Sequence, residues 1–438
     1  EDLEIRFGDK DPVYFQVYQD FVRGMHQQAD SFLDQFRTRE FTEMTGFVEN
    51  KRDMDLSDMT NEELVIHCTG ILEHLRTNSC GNFVKSARLG FYYSQRLQTL
   101  LRERLRLGAD ESERVFARLS QGLDGSAITD VNVAIVESET EEEALILARQ
   151  SVGHFSTGEM LEIRHPRLKD DPTALLAYVR GIRQSEQYRE KFEKQRGERL
   201  DTQLAILGSL SGQGRKELER VIQSTQTYMA LRETVKYLFT QEYSLLRDAL
   251  QVLGTRLGLE DDDIYFVYPR ELPVLVEDPQ SLTHLIRSRK QSFANYRQCN
   301  LPHVVRESDI DSLSLSVESS GDFVEIKGKF LAEGQQVEGV VVNLDQFTDL
   351  DQASKAIDEY RKQEIPIILV ATQMNLGHDP FIALSSGLIL ENAGIVSHGA
   401  QRARELGKGA IGGVQSSKLK TGMKVLFDPK SRSVRNLG

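Results

Sequence analysis

The spacing of apolar residues changes once along this chain, near residue 300. Before that point it follows the 3.6-residue period of amphipathic helices, and after it short β-branched runs alternate with two helical pieces. A chain of 438 residues is also too long for one ordinary core. Together these predict a multidomain protein with a mainly α-helical region over 1–305 and a small α/β domain over 311–438. LPHVVRESDI, at 301–310, reads as the linker and as a hinge between the two.

The helical half carries recognisable ends. Leu56 to Leu75 reads as a helix behind Ser57 and Thr60, with Glu62 and Glu63 in its first turn. A second helix is expected from Asn82 to Arg106, and a third from Ser138 to Gln150, acidic at its start and basic at its end. GHFSTGE at 153–159 and SLSGQG at 209–214 are breaks, and RHPRLKDDP between them is a loop. Lys216 to Leu257 reads as one or two long helices closed by Gly258.

Strands are expected at Leu313–Val317, Val324–Ile326, Val340–Leu344, Ile365–Val370, Leu388–Leu390 and Val425–Phe427. Helices are expected at Asp351–Gln363 and His398–Gly407.

Composition excludes several classes. A net charge of -13, with no basic stripe, argues against nucleic acid as a partner. No run of eighteen apolar residues is present, so no membrane span is expected. Cys68, Cys80 and Cys299 fit neither a zinc site nor a disulfide framework, which implies no metal centre and a reducing, cytoplasmic setting. The polar N-terminus lacks both a signal peptide and an initiator Met, as expected of a fragment or processed chain.

One histidine stands out. His398 follows Ser397, an N-cap residue, and precedes the helix-forming QRAREL. Free N–H groups and the dipole of the first turn favour an anion beside it. Gly399 and Ala400 leave room next to the ring, and Arg402 shares its helix face. An imidazole there can carry a covalent phosphoryl group. On local physics alone, a buried or capping histidine without chemistry is the preferred reading.

GLILENAGIVSHGAQRARELGKGAIGGV, from Gly387 to Val414, resembles the mobile phosphohistidine (swivelling) domain of the phosphoenolpyruvate-utilising dikinase superfamily. The tail KLKTGMKVLFDPKSRSVRNL resembles that family's closing hairpin, and IILVATQMNLGHDPFIALSS, from Ile367, the approach to it. Ala393, Gln401, Arg402 and Lys408-Gly409 depart from the family pattern, while His398 is intact. Upstream, Thr227 to Leu272 resembles the central helical region of the rifampin phosphotransferase group, with its R-E-x-x-K helix matched by Arg232 and Lys236. His154 to Pro172 resembles a further segment of the same group. There His154, Glu159 and Arg167 keep their places in a mainly structural role. Residues 1–150 resemble the family only in helical character and position.

The resemblance implies a phosphotransferase of dikinase type. His398 would be the nucleophile, supported by Ser397, Gly399 and Arg402. Arg232 and Lys236, four apart on one helix face, would neutralise the phosphoryl oxygens for a small-molecule acceptor. Without the resemblance, that pair reads as a solvated cationic face. ATP and Mg would be bound by an ATP-grasp domain, which the sequence does not contain, acting in cis or in trans. No phosphoenolpyruvate-binding barrel follows the histidine domain either, an order that resembles the rifampin phosphotransferase group. Two other outcomes fit the same residues: a ligase-like synthetase that activates its substrate through phosphohistidine, and a non-catalytic phosphohistidine carrier.

Overall fold

The structure, a computed structural model, describes residues 24, 27–125, 127–158, 160–183, 188–260, 262–296, 323–347 and 350–438. The 301–310 linker, the Leu313–Val317 run, Cys299 and Glu159 lie outside these residues.

The helical region consists of α1 (Phe41–Arg52), α2 (Asn61–His74), α3 (Cys80–Leu105), α4 (Ala109–Leu119), α5 (Ala127–Glu137), α6 (Glu141–Ser151), α7 (Pro172–Arg183), α8 (Tyr188–Gly208), α9 (Gly212–Arg256), α10 (Leu272–Glu277) and α11 (Thr283–Tyr296). The capping chemistry sets where two of these begin. Thr60 and Glu63 form a reciprocal capping box at the start of α2, so Leu56 to Met59 stay outside the helix and Ser57 is not the cap. Thr140 and Glu143 do the same for α6.

The Lys216–Leu257 pattern resolves into one helix, α9, of 45 residues and about 67 Å. It is the spine of the region. Its first half buries Leu218, Val221, Ile222 and Met229 against Leu89, Leu97 and Leu101 of α3. Its second half buries Leu246, Leu250 and Leu253 against Leu64, Cys68 and Ile71 of α2. Among the described residues, no helix is long and apolar enough to cross a membrane.

The second region is one eight-stranded mixed sheet with α12 (Leu350–Lys362), α13 (Asp379–Leu384) and α14 (His398–Glu405). Its strands are β1 (Glu325–Lys327), β2 (Lys329–Ala332), β3 (Val337–Asn343), β4 (Ile367–Ala371), β5 (Gly387–Leu390), β6 (Gly409–Gly412), β7 (Lys424–Asp428) and β8 (Ser433–Asn436), in the order β1-β8-β7-β3-β4-β5-β6-β2. β3 through β6 are parallel neighbours. Right-handed crossovers through successive neighbours put α12, α13 and α14 on one face.

β4 shows the consequence. Ile367, Leu369 and Ala371 point to the helices, with Ile357, Phe381, Ile382 and Ala403. Ile368 and Val370 point the other way, with Val414, Leu419, Val425 and Phe427. A strand buried on both faces reads as an unbroken apolar run, which is why IILVA is legible.

Candidate functional site

The site is built where α14 and α13 of the sheet domain meet α9 of the helical region. The Ser397 side chain caps α14, its Oγ accepting the Ala400 N–H at 3.4 Å. His398 therefore occupies the first helical position. A Cβ on Gly399 would lie 2.8 Å from Leu390 Cδ1 and 3.3 Å from Met374 Cβ. Its missing side chain is thus used to seat α14 on the sheet, not to leave room beside the ring.

Asp379 starts α13 and is fully buried. Its Oδ1 lies 2.7 Å from His398 Nε2, and its Oδ2 lies 2.9 Å from Arg402 Nε. Arg402 also pairs with Glu405. One carboxylate thus bridges two residues four apart on one face of α14. Burial alone would raise the Asp379 carboxyl, but Arg402 and His398 outweigh it and hold the group below the usual carboxylate range.

The other side of the ring belongs to α9. Glu233 Oε2 lies 3.8 Å from His398 Nδ1, and the His398 and Glu233 side chains are only 7% and 4% exposed. Arg232 donates to Glu233 Oε1 from Nε at 3.0 Å and from Nη2 at 2.8 Å. Lys236 Nζ stands 3.6 Å from Glu233 Oε2. Burial works against a charged Glu233, yet Lys236 and Arg232 keep its carboxyl well below its ordinary value. Arg232 Nη2 also reaches Gln401 Oε1 on α14 at 3.3 Å.

The structure thus brings His398, Arg402, Arg232 and Lys236 together, with Ser397 and Gly399 as the cap and seat of α14. Arg232 and Lys236 are not a solvated face, since Lys236 is buried and both lie against Glu233. Gln401 and Arg402, departures from the family pattern, are buried polar links to Arg232 and Asp379.

Asp379 and Glu233 were not singled out from the sequence. Glu233 stood inside the R-E-x-x-K helix, where an acid between two cations reads as charge balance. Asp379, before Pro380, reads as a helix start.

The 153–158 loop supports the arrangement. Asn375 donates to the Gly158 carbonyl, and a Cβ on Gly377 would fall 2.2 Å from the Ser156 carbonyl oxygen. His154 packs edge-on against Phe155 and Tyr237, and the buried Arg167 is bridged to Ser156.

These residues do not fit a nucleotide. Glu233 and Asp379 are already matched by cations, and among the described residues no glycine-rich phosphate loop adjoins them. Among the described residues, no cluster of three or more His, Cys, Asp or Glu could hold a metal ion.

Comparison with known proteins converges on the same two elements. Residues 364–432, which hold Asp379, His398 and Arg402, match the family model described as "PEP-utilising enzyme, mobile domain". Residues 152–233, running from the 153–158 loop to Glu233, match "Rifampicin phosphotransferase fourth domain". Over these two segments the chain is similar to domains of PEP-utilising, dikinase-like enzymes.

Relatives named rifampicin phosphotransferase include one from Bacillus subtilis, 26% identical over 60% of this chain and 31% of its own length. One from Bacillus cereus is 23% identical over 68% of this chain and 34% of its own length. One from Streptomyces sviceus is 25% identical over 59% and 30%. The chain spans about a third of the length of these relatives.

Proposed function

We propose that this chain is the acceptor-binding and phosphohistidine part of an ATP-dependent phosphotransferase of the dikinase type. The observation that carries the reading is His398 held between Asp379 of its own domain and Glu233 of the R-E-x-x-K helix. An imidazole docked there sits where a phosphoryl group would meet an acceptor lying along α9. ATP is the donor substrate, bound with Mg by an ATP-grasp domain in cis or in trans. Charging requires His398 to leave Glu233, so the sheet domain swivels on the segment near 301–310.

On return, the P–N bond to His398 breaks and a P–O bond to a small-molecule hydroxyl forms. As the phosphoryl oxygens draw Arg232 and Lys236 away from Glu233, its carboxylate, 3.8 Å from the ring, is freed to take the hydroxyl proton. Arg232 and Lys236 face the transferring oxygens, which is the positioning and charge stabilisation that phosphoryl transfer mainly demands.

A two-stage assay on the full-length protein tests this. β- and γ-labelled ATP should place acid-labile label on His398, and His398→Ala should carry none. Discharge on adding acceptor should then slow roughly a hundredfold in Arg232→Ala or Lys236→Ala, while charging survives. Label on a different histidine, or full activity in His398→Ala, would sink the reading.

A further inference from the structure

A second cluster of charge lies farther along the same face of α9. From Glu233 the face continues through Tyr237, Gln241, Ser244 and Asp248 at intervals of three and four residues, so these side chains line up. The last three line a cavity of about 260 Å³. Gln241 stands eight residues beyond Glu233, about 12 Å along the helix axis.

The charges around this cavity are one-sided. Lys51, Arg52, Arg149 and Lys169 line it against a single carboxylate, Asp248. Lys169 pairs with Asp248, which leaves three cations over. Among the described residues, none of the three has an acidic partner: Arg52 donates to Gln241 Oε1 at 3.3 Å, and Lys51 lies over the Phe47 ring. This occurs in a chain whose net charge is -13, so a cationic cavity is a local departure from the average field.

The floor is unsatisfied as well. His154 and Ser244 are both buried, and neither His154 Nε2 nor Ser244 Oγ has a hydrogen-bond partner. Leaving such groups unpaired costs on the order of 1–3 kcal/mol each. Burial first, then Lys169 and Arg52, push the His154 imidazole well below its ordinary value, so the ring is neutral with one N–H to donate. Donors below and cations at an exposed rim make a receptor for an oxyanion.

We propose that this cavity binds an oxyanion group (carboxylate, sulfate or phosphate) of the acceptor, so that the acceptor is an anionic small molecule. The assignment rests on the phosphotransferase reading above. The acceptor would span from the cavity to His398, its anionic group about 12 Å or more from the hydroxyl that takes the phosphoryl group. Anchoring a remote group in this way holds the hydroxyl at the transferring phosphorus.

The test has two arms. Calorimetry of the full-length protein with inorganic sulfate should show saturable binding, weakened at least tenfold in Lys51→Met and in Arg149→Met. Both residues lie at the rim, and unchanged thermal melting would show that the variants fold. No saturable binding, or binding unchanged in both variants, overturns the site.

In the second arm, protein charged on His398 meets pairs of hydroxylated compounds differing only in a carboxylate. The carboxylated member should discharge the phosphohistidine at least tenfold faster, and Arg149→Met should erase that preference. Sulfate binding without faster discharge by any carboxylated member overturns the acceptor assignment and leaves an anion site. A protein that never takes label on His398 instead overturns the phosphotransferase reading, and the sulfate arm still decides the cavity.

Discussion

Replacing Asp379 by Asn removes one charge and leaves His398 and Arg402 facing its place. Its carboxylate is fully buried, so the loss is not repaid by water. Breaking one side of a buried ion pair costs about 3–5 kcal/mol, mostly because the partner stays buried and charged. Arg402 retains Glu405, which places the cost of Asp379→Asn at the lower end, about 3 kcal/mol. Adding Arg402→Met should recover at least half of that loss, since the stranded cation is then gone. Urea denaturation of the two single variants and the double variant measures the coupling. Additive losses would mean that Asp379 and Arg402 do not act as a pair.

At the scale of elements, sequence and structure agree where a periodic signal is long or a strand is doubly buried. α9 and the run IILVA are such cases, and the structure moves their ends by only a few residues. β2, Lys329–Ala332, was not legible. It is a four-residue edge strand whose place is set by pairing with β6, which follows it by nearly eighty positions. The site divides in the same way. His398, Arg232 and Lys236 lie inside local motifs, but the Arg232–Gln401 contact joins residues 169 positions apart. Tertiary pairing of that kind leaves no mark on a period.

The turn at Leu376–His378 is a further element that only the fold explains. His378 Nδ1 accepts the Asn375 N–H at 3.1 Å, which requires a neutral ring. Burial pushes the His378 imidazole down to about 4 from an ordinary 6.5. The unfolded chain therefore takes up a proton as pH falls through 6.5, while the folded chain does not until about 4. Stability is full above pH 6.5, falls between 6.5 and 4, and is level with respect to this group below 4. The full shift is worth at most about 3 kcal/mol, and nearer 2 because part of the ring surface meets water. His154, neutral by burial, acts in the same direction. Unfolding midpoints measured across this range should give a shallower slope for His378→Gln than for the parent. Identical slopes would remove His378 from the account.

At the scale of the whole molecule, the two domains meet through two glycines, one on each side. A Cβ on Gly377 of the sheet domain would lie 2.2 Å from the Ser156 carbonyl oxygen of the helical region. A Cβ on Gly181 of α7 would lie 2.8 Å from Pro380 Cβ and 2.9 Å from its Cα. Both clashes are with backbone or a rigid ring, which cannot swing aside. Neither glycine has a positive φ, so alanine fits each backbone locally and the strain falls on the docking. Gly377→Ala and Gly181→Ala should therefore each open the interface without unfolding either domain. Small-angle scattering should show a larger radius of gyration, and melting should change little. In the proposed cycle, charging of His398 by ATP takes place away from α9 and should continue, while discharge to acceptor should fall at least tenfold. The same outcome from opposite sides of the contact would identify docking itself as the step that was lost. If both variants stay compact and discharge at the parental rate, the docked arrangement is not the one that transfers the phosphoryl group.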